Sequence, residues 1–190
     1  MVFMIALTSR TARTLVATVV AGASIATVTA APAAADPARV VAGPLSLDRA
    51  ALPGWEIMAP DADGTVVAGA QLTGKNWGSQ IEFGPSLVKG QSSEAVARTI
   101  VTRSLESDGY KGLKGRVVGV QVTPTTISGV SATRALAEVQ FDGAPVRADR
   151  LRVIVVDTKP QTYYLSAVPV EAPDRQAQAE AAERSLIAAR

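Results

Sequence analysis

The sequence has no cysteine and no histidine among its 190 residues. Without cysteine there is no disulfide, no thiol nucleophile and no lipobox for a cysteine-linked lipid anchor, so packing alone must hold the fold together. Without histidine there is no Ser-His-Asp triad, no histidine-ligated zinc and no side chain that ordinarily titrates near neutral pH. An enzyme built on this chain would depend on carboxylates, lysine or tyrosine. We therefore expect no catalytic residues, no cofactor and no metal site.

The first 35 residues have the pattern of a secretory signal peptide. Arg10 and Arg13 give a positive start, residues 15–30 are uncharged and rich in apolar and small side chains, and three alanines end at Ala35. This order predicts cleavage between Ala35 and Asp36. The apolar part is short for a membrane span, which needs about 20 apolar residues, so a retained N-terminal anchor is the less favoured alternative. We expect a protein that is secreted or resides in the cell envelope.

The basic character of the whole chain belongs to this leader. The full sequence has a net charge of +2 and an isoelectric point of about 9.1. Cleavage would take away two of the 19 basic residues and none of the 17 acidic ones, leaving a net charge of zero on 155 residues. A neutral domain gives no basis for nucleic-acid binding, which needs a basic surface on the folded protein. We predict a flexible leader at residues 36–44 and a single domain at residues 45–190.

Three successive strands are predicted in the second half of the chain, at residues 131–142, 151–156 and 163–168. The middle segment is the densest run of β-branched side chains after the leader, and such side chains pack well on a pleated sheet. Short turns separate the three segments, which implies antiparallel neighbours because a parallel return needs a long crossover. We expect this meander to form the middle of one sheet.

The remaining periodicities predict further strands and two helices. The additional strands are expected at residues 55–59, 65–72, 80–83 and 116–123. A helix at residues 91–108 has serine at its start and an apolar stripe at helical spacing, and a second helix is expected at residues 173–189. The predicted fold class is α+β, with an antiparallel sheet flanked by helices as an α/β/α sandwich.

The order of these segments resembles that of PsbP-like domains. The resemblance is carried by Leu52-Pro53-Gly54-Trp55 near the start of the domain, a helix ending near Gly109, a turn at Gly129 before a long strand, the Tyr163-Tyr164 strand and a closing helix. Among such proteins the chain is most similar to the exported actinobacterial LpqN/LpqT lipoprotein family. The resemblance implies a PsbP-like sandwich over residues 45–190 and a non-enzymatic role in the cell envelope. The lipobox cysteine of those lipoproteins is absent, which favours a soluble secreted form; the photosynthetic role of PsbP does not carry over.

Three short motifs match catalytic or ligand-binding patterns only in part. Ser86-Leu87-Val88-Lys89 has the S-x-x-K spacing of penicillin-recognising enzymes, but the S-D-N and K-T-G elements are missing. Asp61-Ala62-Asp63-Gly64 begins like a calcium loop but lacks the glycine and glutamate needed at its sixth and twelfth positions, so a hairpin turn is favoured. Gly74-Lys75 is followed by asparagine rather than the serine or threonine of a phosphate-binding loop.

Two basic groups and several aromatic residues are candidates for binding. Lysines 111 and 114 lie with Arg116 beside Tyr110, and Arg150 and Arg152 alternate along one strand and so share a sheet face. The candidate ligand- or partner-binding residues are Trp77, Tyr110, Lys111, Lys114, Arg150 and Arg152. Arginine suits phosphate or carboxylate groups, and exposed aromatics suit a sugar or acyl ligand. The alternatives are a solvated strand face for the basic residues and a place in the core for the aromatic ones.

The function expected from these observations is that of an exported binding or accessory protein without catalytic activity. Its partner would be an envelope component, a glycolipid or another protein, with no nucleic acid involved and no stable membrane anchor after cleavage. One alternative is a lipid or glycolipid carrier, which would need an apolar cleft between sheet and helix. The other is a carboxylate-dependent hydrolase, which would need two acids at catalytic separation.

Overall fold

The computed structural model of this protein describes residues 38–86, 88 and 90–189. The predicted signal peptide and its cleavage site lie outside these residues, so both stay predictions. Within the described residues the secondary structure runs as follows: β1 (Arg39–Ala42), β2 (Leu45–Asp48), a 3-10 helix (Arg49–Ala51), β3 (Glu56–Ile57), β4 (Val66–Gln71), β5 (Gly78–Pro85), α1 (Ser93–Thr102), a 3-10 helix (Ser104–Glu106), β6 (Lys114–Ile127), β7 (Val130–Asp142), β8 (Ala148–Val156), β9 (Thr162–Pro169), α2 (Pro173–Arg184) and β10 (Ile187–Ala188).

Seven strands form one antiparallel sheet in the order β3-β4-β5-β9-β8-β7-β6. The predicted meander is β7-β8-β9, and its pairing is confirmed: Val153 lies opposite Ala135 on one side and Leu165 on the other. β8 and β9 lie inside the sheet, as expected for the segments richest in β-branched and aromatic side chains. A second, three-stranded sheet has the order β1-β2-β10.

The two helices lie on opposite faces of the large sheet. Alternate residues of β8 define the faces: Leu151 and Val153 point into a core beneath α1, and Ile154 and Val156 point into a core shared with α2 and the small sheet. We call these faces the α1 side and the α2 side. Both cores are fully closed at their centres, with Val153 and Ile154 each 0% exposed. This arrangement confirms the α+β class and the sheet flanked by helices.

The prediction of a flexible leader at residues 36–44 is wrong for residues 39–42, which form a strand. Residues 39–42 form β1, which pairs with β2, and Val40 and Ala42 are buried. The guanidinium of Arg39 donates to Ser46 Oγ and to the backbone oxygens of Ser46 and Ser185, which ties the strand to the end of α2. Strand pairing and the buried side chains of Val40 and Ala42 hold this segment against the domain. The domain therefore begins before residue 45.

Both predicted helices end earlier than their periodicity indicated. The first stops at Thr102 rather than residue 108, and Ser104 Oγ donates to Val101 O, a local bond that competes with continuation of the helix. The second stops at Arg184 rather than residue 189. Beyond it, Ile187 and Ala188 pair with β2 and complete the small sheet. Among the described residues no helix is both long enough and apolar enough to cross a membrane.

The edge strands of the large sheet are the two-residue β3 and the 14-residue β6. The long edge strand β6 is irregular. Its register with β7 shifts between Val118 and Gln121, and Pro124 interrupts its row of N–H donors. A bulge and a proline on an edge strand both discourage another strand from pairing with it. The β6 edge is therefore less suited to recognition by strand addition than the faces of the sheet.

Candidate functional site

The structure divides the predicted binding residues between the two faces of the large sheet. Trp77 and Tyr110 lie on the α1 side and are buried, with 9% and 3% exposure. Arg150 and Arg152 lie on the α2 side, next to α2. The two predicted lysines are exposed: Lys114 begins β6 on the α2 side, and Lys111 lies in the loop after Tyr110.

On the α1 side, Trp77 and Tyr110 meet a buried carboxyl group that the sequence did not single out. Asp149, only 1% exposed, accepts hydrogen bonds from Trp77 Nε1 at 3.1 and 3.3 Å and from the Tyr110 hydroxyl at 2.8 Å. The indole and phenol rings stack with centroids 6.4 Å apart, and Phe141 contacts both at 5.0 and 5.2 Å. We call these four residues the aspartate cluster. It joins the loop before β5, the loop after α1, and the ends of β7 and β8.

Burial dominates the electrostatics of the aspartate cluster. It raises the pKa of Asp149 from 3.8 to about 7, against the hydrogen bonds from Tyr110 and Trp77, which lower it; Glu171 nearby raises it further. The pKa of Tyr110 is raised by its own burial and by the Asp149 carboxyl. Both donors to Asp149 are neutral, so the cluster stabilises its carboxylate only in part.

A second buried acid lies on the same face, between β4 and β9. Glu82, 4% exposed, accepts hydrogen bonds from the Tyr163 hydroxyl and from Gln80 Nε2. Burial raises the pKa of Glu82, and the charge of Asp61 adds to this. In the strand register Glu82 and Asp149 are two strands and four residues apart, or about 17 Å between Cα atoms. A pair of catalytic carboxyls in a glycosidase lies within about 10 Å, so these acids do not form such a pair.

A small cleft lies between the sheet and the C-terminal end of α1. It is lined by Gln80, Ile100, Ser104, Ser107, Tyr110, Leu151, Leu165 and Ala167. Its volume is about 20 Å³, enough for one water molecule. Ser107 Oγ is buried there and has no hydrogen-bond partner among the described residues.

On the α2 side, charged residues attach α2 to the sheet. Glu183, 5% exposed, binds Arg134 of β7 at 2.6 Å and Arg152 of β8 at 3.4 Å, and Arg152 also binds Glu180. The predicted residue Arg152 is therefore engaged within the fold. Arg150 is exposed, and its guanidinium donates to the neutral Gln176 Oε1 at 2.8 Å.

Beyond α2, the outer part of this face has no helix over it. The contacts of α2 are chiefly with β9, β2 and the first 3-10 helix, and the small sheet covers the core at β4 and β5. We call the uncovered α2-side surface of β6, β7 and the start of β8 the open face. Its side chains are exposed or half-buried and are Lys114, Arg116, Val118, Gln121, Thr123, Arg134, Leu136, Glu138, Gln140, Asp142 and Arg150. The two predicted basic groups thus come together here through Lys114, Arg116 and Arg150.

The partial motifs have structural roles. Asp61 Oδ1 accepts from the backbone N–H groups of Asp63 and Thr65, which is the predicted hairpin turn. Lys75 Nζ donates to Pro145 O and so links two loops. Ser86 Oγ bonds to the backbone of Val88. No group of three potential metal-ligating side chains occurs in the part of the chain that the structure describes.

Sequence reasoning missed the residues that organise both faces. Asp149 follows Ala148 in a strand and looks like an ordinary turn-proximal acid, and Glu183 looks like an exposed helix residue. Gln140 and Gln176 accept hydrogen bonds from the exposed arginines 116 and 150, and no sequence motif marks either glutamine. The available signal was the alternation itself: Asp149 has the parity of Leu151 and Val153, which places its carboxyl on a buried face.

No family model matches the sequence, and no curated protein matches it. Among solved structures, the chain is similar to cyanobacterial PsbP (CyanoP) from Synechocystis sp. PCC 6803, with a TM-score of 0.53 and 10% identity over 85% of this chain and 99% of that one. It also matches PA94 from Pseudomonas aeruginosa, a protein of unknown function, with a TM-score of 0.47 and 16% identity over 72% of this chain and 98% of that one. The likeness to CyanoP confirms a PsbP-like fold. Similarity to the LpqN/LpqT family stays a prediction.

Proposed function

We propose that this protein is an exported binding or accessory protein that recognises a partner through the open face of its large sheet. The observation that carries the proposal is that separate basic segments of the sequence, β6 and β8, present Lys114, Arg116 and Arg150 on this one uncovered surface. A sheet face left without a helix, with polar side chains around the half-buried Val118 and Leu136, is suited to a protein interface. Its export rests on the N-terminal sequence pattern.

Three buried acids outside the open face have partners within the fold. Asp149 and Glu82 are buried in hydrogen-bonded clusters, and Glu183 is held by two arginines. On the open face, Arg134 and Arg150 contact α2, whereas Arg116 bonds only to Gln140 of the neighbouring strand among the described residues. The guanidinium of Arg116 therefore stays available to a partner on the open face.

The experiment is recovery of the protein from its native culture. The full gene product should be expressed in its own organism with a C-terminal tag, cross-linked, purified and analysed by mass spectrometry. We expect an N-terminus at Asp36, material in the medium or the envelope fraction, and cross-links from β6 or β8 to one protein. Recovery of the intact chain from the cytosol, or cross-links confined to other surfaces, would contradict the proposal.

A lipid or glycolipid carrier is the second candidate, favoured by the apolar cleft beneath α1. Ile100, Leu151 and Leu165 line it, but its enclosed volume of about 20 Å³ is far below the volume of about 300–1,000 Å³ typical of ligand pockets. An acyl chain would need α1 to move away from the sheet. The same purification separates the candidates, because a carrier would bring a stoichiometric lipid with it.

A further inference from the structure

Two arginines on the open face are held by neutral amides. Arg116 Nη2 donates to Gln140 Oε1, and Arg150 Nη1 donates to Gln176 Oε1, each at 2.8 Å. Each guanidinium has five N–H donors in a fixed fork, so one amide orients the group and leaves other donors free. Neither arginine has a carboxylate partner among the described residues.

The remaining charges on and beside this face are largely balanced. Lys114 lies directly opposite Asp142 across the β6–β7 pair. Arg134 and Arg152 bind the carboxylates of α2. Glu138 lies between the two amide-held arginines and accepts from Gln140 Nε2 at 2.9 Å. The positive charge available to a partner therefore belongs mainly to Arg116 and Arg150, with one acid between them.

The register fixes the spacing of these two arginines. Arg116 is opposite Gln140, and Arg150 is opposite Glu138, so the arginines are two strands and one two-residue step apart. Strand separations of about 4.8 Å and a rise of about 3.4 Å per residue place their Cα atoms about 12 Å apart. In an extended peptide this is the distance between residues about three to four positions apart. Val118 and Leu136 provide half-buried apolar surface beside that line.

We propose that the open face binds an extended acidic segment of a partner protein, with one carboxylate on Arg116 and another on Arg150. This inference rests on the proposed function and specifies the partner's chemistry. A carboxylate matches the guanidinium fork in geometry and charge. Glu138 disfavours a dense polyanion because the polyanion would also bring negative charges close to the Glu138 carboxylate, and like charges repel. A peptide can place neutral residues there, between its two acids. The apolar surface at Val118 and Leu136 accommodates those intervening side chains.

The test uses the full chain and a labelled synthetic peptide with two glutamates spaced about four residues apart, compared with its glutamine counterpart. The double variant Arg116→Gln/Arg150→Gln should weaken binding of the glutamate peptide by roughly tenfold or more, since two charge-assisted contacts are lost. The matched control is Arg98→Gln/Arg103→Gln, which removes the same charge from exposed sites on and just after α1 and should leave binding unchanged. Added salt should weaken binding of the unaltered protein.

Each other outcome overturns the inference. Equal binding of the glutamine peptide would remove the role of carboxylates, and equal loss in the control pair would reduce the effect to net charge. Inorganic polyphosphate or anionic phosphatidylglycerol vesicles that bind more tightly than the peptide, with the same dependence on Arg116 and Arg150, would assign the face to a polyanion or a membrane instead. An absence of peptide binding by a protein that still cross-links a partner in culture would refute this inference and leave the proposed function standing.

Discussion

The indole N–H of Trp77 donates to both carboxylate oxygens of Asp149, at 3.1 and 3.3 Å, and the Asp149 side chain is buried. A buried carboxylate is ordinarily stabilised by a cation or by several charge-assisted hydrogen bonds. Here the donors are an indole and a phenol, both neutral. The protonation state of this one group therefore sets the stability of the contact between two loops and the ends of β7 and β8.

The first prediction is that Asp149 makes folding stability fall as the pH rises. Its pKa is raised from 3.8 to about 7 in the folded state, so the folded protein holds the proton more tightly than the unfolded chain. This contribution is fully present below about pH 4 and is lost as the pH rises through about 7. Between pH 4 and pH 8 the loss is roughly 4 kcal/mol at most, at about 1.4 kcal/mol per pH unit.

Urea unfolding of the native chain and of Asp149→Asn at pH 5 and pH 8 measures this effect. The variant should lose much of the difference between the two pH values, and at pH 8 it should be at least as stable as the native protein. Burial also raises the pKa of Glu82, which acts in the same direction. Any pH dependence of the free energy of unfolding that remains in Asp149→Asn should therefore become smaller when Glu82→Gln is added. An unchanged slope in the single variant would exclude Asp149 as its source.

The second prediction concerns the fluorescence of Trp77. The chain has two tryptophans, so Trp55→Phe leaves Trp77 as the only indole. Because its N–H bonds to Asp149, emission should change with the charge on that carboxyl, with a midpoint near pH 7. The change should be absent when Asp149→Asn is added. A titration that persists in the double variant would have another origin.

The third prediction concerns the attachment of α2 to the sheet. Glu183→Gln leaves Arg134 and Arg152 without their shared buried carboxylate, and breaking a buried ion pair from one side typically costs about 3–5 kcal/mol. Because Arg134 is 39% exposed and Arg152 still has Glu180, we expect the lower end of that range. Arg184→Gln removes only an exposed contact at 3.9 Å and should change the free energy of unfolding by less than about 1 kcal/mol. Urea unfolding of the two variants measures both, and equal effects would contradict the buried network.

The sheet was predictable because its signals are local and agree with one another. Leu151 to Val156 combines β-branched side chains with short flanking turns, and the structure pairs it on both sides as expected. The Pro53-Gly54-Trp55 segment contacts α2 through the Trp55 side chain. The Trp55 Nε1 donates to Gln178 of α2 at 2.7 Å, and Arg175 lies over its ring at 5.6 Å. This contact shows how a turn near the start of the domain positions the last helix.

The sites were less predictable because they depend on long-range register. The sequence indicates Trp77 and Tyr110 as candidate binding residues. Both are buried and bond to Asp149, which lies 72 residues beyond Trp77. The sequence indicates that Arg152 is a surface residue on a strand. In the structure α2 packs over that strand, and Glu180 and Glu183 bind Arg152. Nothing in the alternation of β8 distinguishes Arg150, which remains exposed, from Arg152, because only the path of α2 separates them.

The fourth prediction tests the close approach of β6 and β7 at the start of the open face. A Cβ added at Gly115 would clash with the backbone oxygen of Gln140, so the strands would have to separate. Gly115→Ala should lower the free energy of unfolding by about 1–3 kcal/mol, the usual cost of an overpacked site. Gly69→Ala is the control, since a Cβ there meets nothing within 4 Å. Thermal unfolding distinguishes them; equal melting temperatures would show that the two strands are not in this register.

The fifth prediction tests whether the segment before residue 45 belongs to the fold. Val40 and Val41 are neighbours on β1, but Val40 is 7% exposed in the core and Val41 is 44% exposed. Val40→Ala should lower the free energy of unfolding by about 1–2 kcal/mol, because two buried methyl groups are lost, each worth about 0.8 kcal/mol. Val41→Ala should change it by less than about 0.5 kcal/mol, as is usual for a surface site. Both variants alter the same residue type in the same strand, so a difference in β-propensity cannot account for unequal results. Equal, negligible effects in urea unfolding would mean that β1 is detached in solution, and the domain would then begin at β2 as the sequence alone indicated.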